Sequence, residues 1–178
     1  MERLSWSPRL RQAGTARRLV IAAATALTLA VVAAVGMAAT AAPGPNGCPT
    51  NKSLKTAPIG ELTPPARLQI VSFDVLSGPI NEQSTTFTLK VRIGSTCSVD
   101  IKGASVYVTA VPYNQFDVPD EELTGDDGTT ILVFHRAANF PASDQQQQLT
   151  LFIRATKPGE DPLAGVSTRR LVAVNFGS

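Results

Sequence analysis

Six carboxylates fall within eleven residues of this chain: Asp117, Asp120, Glu121, Glu122, Asp126 and Asp127. Their composition suits calcium, which takes six to eight oxygens, several of them carboxylate. Their spacing departs from the Asp-x-Asp-x-Asp-Gly ligand run, so a solvated hairpin loop is the competing reading and no metal site is assigned. Gly125 and Gly128 bracket Asp126 and Asp127 as a tight turn. The same stretch carries Tyr113 and Phe116, which either anchor a partner or pack down over the open end of a fold. Tyr113, Phe116, Asp117, Asp120, Asp126 and Asp127 therefore form the candidate binding loop.

Nucleophilic chemistry has little to work with. There is one histidine, His135, beside Arg136. A Ser-His-Asp triad is a spatial arrangement, but no Gly-x-Ser-x-Gly elbow is present. A phosphate cradle needs bare backbone N–H groups, and Gly125-Asp126-Asp127-Gly128 puts carboxylates there instead. The expectation is a protein that is not an enzyme and needs no cofactor. The one tryptophan, Trp6, lies in the N-terminal segment, which argues against a carbohydrate-binding platform. Arg169-Arg170 could grip an anion, but strand alternation would point the two side chains to opposite faces. Gln145–Gln148 is too short for low-complexity assembly.

Charge is unevenly distributed. The 178 residues carry a net +2, yet residues 1–41 hold five arginines and a single acid, which leaves residues 42–178 at −2. Nucleic-acid binding is not expected of an acidic body, because displacing counterions takes surplus Lys and Arg. Residues 1–18 are basic, and Leu19 to Ala42 contain no charge at all. Small residues crowd the end of that run, and Ala39-Thr40-Ala41 fits a small-x-small cleavage site. The leading reading of 1–41 is a secretory signal peptide cut after Ala41. The alternative is an uncleaved transmembrane anchor, since about 20 apolar residues span a bilayer. Both put the body outside the cytoplasm, extracellular or at the cell envelope, with membrane contact only through residues 19–42 if they stay uncleaved. Arg17-Arg18 hints at twin-arginine export, but Leu19-Val20-Ile21 matches that signal poorly.

Export sets the reading of Cys48 and Cys97. Two thiols outside the cytoplasm most often pair, and zinc needs more Cys and His than this chain has. A disulfide between them would staple the Pro/Gly-rich start of the body to the rest. A lipid anchor on Cys48 is not expected, because Gly44-Pro45-Asn46-Gly47 is no lipoprotein cleavage site.

The elements that must position these residues read as strands. Residues 42–66 hold six prolines and no apolar period, so a linker is expected there. In Phe87–Ile93 every odd position is apolar and every even one polar, the period of a half-buried strand. Leu149–Ala155 repeats this more loosely. Leu68–Leu76, Ala104–Val111, Thr129–His135 and Leu171–Phe176 are further β-rich runs between turn signals. The expected fold is all-β: an antiparallel immunoglobulin-like sandwich of about seven strands over 67–178, after the signal or transmembrane segment.

The order Gly103-Ala104-x-Val106-x-Val108, a long loop, then Thr124-Gly125-Asp126-Asp127-Gly128 leading into Ile131–Phe134 resembles two families. One is the bacterial immunoglobulin-like domains of invasin- and intimin-type surface proteins, and the other the carboxypeptidase regulatory-like domains. The resemblance covers roughly 84–178 and implies a positive-φ turn at Gly128. Pro112–Phe116 and Ser167–Leu171 also look like small secreted proteins of high-GC bacteria. The function expected is an exported structural or protein-interaction module of the envelope, its partner another envelope or extracellular protein. The alternative is a secreted small-ligand or calcium-binding domain using the acidic loop 117–127.

Overall fold

Alternation organises the body. In the computed structural model, which describes residues 44–51, 55–143 and 146–175, Phe87, Leu89, Val91 and Ile93 are buried while the residues between them reach solvent to varying degrees. They lie on β3 (Thr86–Ser95), the middle of the first sheet. One flank of β3 pairs antiparallel with β2 (Leu68–Val75). The other flank changes partner along its length. β7 (Thr129–His135) pairs from Thr86 to Arg92, and β4 (Asp100–Lys102) takes over at Gly94. β1 (Thr56–Pro58) then adds to β4 in parallel.

The second sheet is antiparallel, in the order β6 (Glu122–Leu123), β5 (Ser105–Val111), β8 (Gln148–Thr156) and β9 (Thr168–Asn175). Val106, Val108 and Ala110 of β5 and Leu149, Leu151 and Ile153 of β8 join the residues of β3 in one core. At one end that core is aromatic. Phe87 stacks on Phe134 at 4.3 Å and meets the edge of Phe116 at 4.8 Å. Phe140 lies 4.6 Å from Phe116.

The fold is thus all-β with two sheets, as alternation required. Among the described residues there are nine strands, not about seven. The additional ones are short, and β1–β4 departs from an all-antiparallel arrangement. A correction applies to the expected linker. Where 42–66 is described it belongs to the body: Ala57, Leu62 and Ala66 are buried in the core, and β1 extends the first sheet. Proline suppresses periodicity without preventing burial, and an edge strand tolerates it because one side needs no donors. β9 begins at Thr168, earlier than Leu171, because the ladder with β8 continues to Ala155. The expected signal or anchor segment, 1–41, lies outside the described residues, as does Phe176.

Candidate functional site

The segment 112–128 does not form one loop at one end. It starts past the C-terminal end of β5 and returns along that strand to pair, as β6, with Ser105 and Val106 at its start. Seven residues of β5 separate the two ends, about 20 Å at ~3.3 Å per residue. The carboxylates are spread over that length, so they cannot converge on one ion.

At the near end Tyr113 is 68% exposed and Phe116 only 2%. Phe116 is a packing residue inside the aromatic cluster; Tyr113 stays at the surface. Gln115 is fully buried between them, its Nε2 donating to the carbonyl of Pro112 at 2.9 Å. Gln146 of the glutamine run donates to the Gln115 Oε1 at 2.7 Å. Asp117 is exposed and tied down through its backbone N–H, which donates to the His135 carbonyl at 2.9 Å. His135 itself is an exposed strand-end residue whose ring makes no hydrogen bond to a described residue. Asp120 is exposed as well.

Asp126 and Asp127 sit at the far end, beside the point where β3 changes partner. Gly128 makes that junction possible: its φ is +72°, and a Cβ there would lie 2.8 Å from the Cβ of Asp100 and 2.9 Å from the Ile93 carbonyl. Asp126 pairs with Lys102. Asp127 accepts from the Thr129 hydroxyl at 2.7 Å and from its backbone N–H at 3.0 Å. The hydroxyl bond first, then the backbone bond, holds its carboxyl below the ordinary value. Arg92 Nε donates to Asp100 Oδ1 at 3.0 Å, and that bond raises the guanidinium pKa. Arg92, Asp100, Asp126 and Asp127, with Lys55, Asp74 and Lys90, line an open groove of about 560 Å³ on the outer face of the first sheet. It is a surface of mixed sign whose charges largely neutralise one another. Among the described residues no three His, Cys, Asp or Glu side chains are grouped to hold a metal.

Cys48 and Cys97 form a disulfide with their Cα atoms 5.7 Å apart. The staple inferred from their number joins the start of the body to the turn after β3.

Arg169, considered above as an anion grip, stands in the fold beside residues that escaped the sequence reading. Because Val106, Val108 and Ala110 point into the core, Tyr107 points out, and the register of β8 and β9 sets Arg154 and then Arg169 beside it. Glu121, just before β6, completes the row by accepting from Arg154 Nη2 at 2.7 Å and from the Ser105 hydroxyl. The Arg154 guanidinium lies 4.7 Å from the centre of the Tyr107 ring. The next row pairs half-buried Phe152 with Leu171, which is 61% exposed. One signal was available: Phe152 stands at a polar-phase position of Leu149–Ala155, which is why that strand alternates loosely. Aromatic, arginine and aliphatic side chains on one accessible sheet face have the composition of a protein-contact surface. Comparison with models of protein families, with curated proteins and with solved structures finds no match for this chain.

Proposed function

We propose that the chain is an exported, non-enzymatic protein-interaction module of a bacterial cell envelope, built on an immunoglobulin-like sandwich. The observation that carries the interaction reading is the outer face of the second sheet. Tyr107 and Phe152 lie half-buried there, Leu171 stands 61% exposed, and Arg169 has no ion pair with a described residue. Contact surfaces are enriched in aromatic and arginine side chains, and here they stand beside Thr109 and Thr150 on the same face with no Lys among them. Export is supported by the basic start, the uncharged run 19–42 and the pairing of both cysteines, which suits an oxidising compartment. The likeness of residues 84–178 to invasin- and intimin-type domains supports the immunoglobulin-like fold.

The test is photocrosslinking in intact producing cells, with the crosslinker at Leu171 and, as control, at Thr88 on the first sheet. A discrete protein adduct at Leu171, absent at Thr88, is the expected result. No adduct at Leu171 removes the interaction reading.

A further inference from the structure

The row Glu121–Tyr107–Arg154–Arg169 crosses the second sheet from one edge to the other, with its negative charge at one end and its uncompensated positive charge at the other. Arg154 is neutralised within the chain by Glu121. Arg169 lies directly opposite Arg154 in the ladder, a like-charge pair that costs stability unless a further anion is supplied. Among the described residues none supplies it.

A second copy would bring its Glu121 opposite Arg169, where that carboxylate is shared between Arg154 of its own copy and Arg169 of the other. Consider two copies with these faces together and a two-fold axis parallel to the strands, midway between β5 and β8. The rotation lays β9 of each copy over the Glu121 edge of the other, and β8 over β5. The row then meets itself reversed. Arg169 faces Glu121 of the second copy, Arg154 faces Tyr107 of the second copy, and each charged contact occurs twice. In the adjacent row Phe152 faces Thr109 of the second copy, and Leu171 lies over the segment beside Thr109. A surface that complements itself under two-fold rotation is what an isologous dimer requires. Packing two sheets face to face is also the ordinary way to bury such a face.

We infer that this face joins two copies of the chain in a symmetric dimer. The inference rests on the reading of the domain as an interaction module and names its partner. Four strands at ~4.8 Å spacing make the sheet about 19 Å wide, and strands of seven to nine residues make it about 25 Å long. The footprint is then about 500 Å² per copy, near the low end for specific interfaces, which suits a dissociable dimer.

The experiment is sedimentation equilibrium of the purified protein, in the form that the producing cell exports or retains, from about 5 to 200 μM. The wild type is expected to show a monomer–dimer equilibrium that weakens several-fold, about 3- to 10-fold, at high salt. Arg169→Glu alone and Glu121→Arg alone should each be monomeric, since each sets like charges face to face. Their equimolar mixture should dimerise, because both contacts become complementary again. Leu171→Asp should be monomeric and, at an exposed position, keep its fold as judged by circular dichroism. A wild type monomeric throughout the range overturns the dimer, as does a dimer indifferent to Arg169→Glu and Leu171→Asp, or a mixture that stays monomeric. The two readings fail separately. A Leu171 adduct with a different protein removes the dimer and leaves the interaction module, while no adduct at all removes the module.

Discussion

Single residues carry the fold's covalent and electrostatic constraints. The Cys48–Cys97 bridge closes a segment with a sequence separation of 49, for which chain-entropy reasoning gives about 4 kcal/mol. Cys97→Ser should therefore lower unfolding stability in urea by up to that amount, less where the unfolded chain keeps structure. A change below about 0.5 kcal/mol would mean that the bridge constrains nothing. Gly128 is a second such point. Its +72° φ and the 2.8 Å approach to Asp100 leave no room for a side chain, so Gly128→Ala should cost about 1–3 kcal/mol. Asp127 makes a pH prediction. Its pKa is lowered in the folded state, so its contribution is present above the ordinary carboxylate value and lost as pH falls through the lowered one. The urea midpoint of Asp127→Asn should differ from the wild type near neutrality and converge on it in acid. Parallel pH curves would show that the Thr129 bonds do not stabilise the carboxylate.

At the scale of elements, β7 offers an internal control. Phe134 is buried and stacked on Phe87, whereas Ile131 on the same strand is 52% exposed. Phe134→Ala should cost about 3–5 kcal/mol and Ile131→Ala about 0.5 or less. Equal costs would contradict the inward and outward phases of the strand. The proline-rich lead-in is tested in the same way. Leu62 is fully buried, so Leu62→Ala should cost about 2–5 kcal/mol, whereas in a free linker it would cost nothing.

For the whole molecule, the export proposal predicts a processed chain. Mass spectrometry of the protein released by producing cells should find a start near Ala42. Full-length chain held in the membrane fraction would favour the anchor. The distribution of charge matters at this scale too. The body is acidic and the N-terminal segment basic, while the ion pairs Arg92–Asp100 and Lys102–Asp126 neutralise charge locally on one face and leave Arg169 without an ion pair among the described residues on another.

Period-two alternation in Phe87–Ile93 was enough by itself to determine a half-buried strand and, with the spacing of the turn residues, an all-β body, because alternation is a local property of the backbone. The thiol count was enough to suggest the Cys48–Cys97 pair. Other features depend on register and packing between distant segments. Ala57 and Leu62 were hidden because proline interrupts any local period while leaving those side chains free to pack. The acidic residues looked like one cluster because they are close in sequence, yet an extended segment running back along β5 sets Asp117 and Asp127 near opposite ends of the sandwich. Tyr107, Arg154 and Arg169 looked unrelated, separated by 47 and 15 positions in the chain, and became neighbours only through the β5–β8–β9 register. Local sequence sets which face a side chain takes; only the pairing of distant strands decides what stands beside it there.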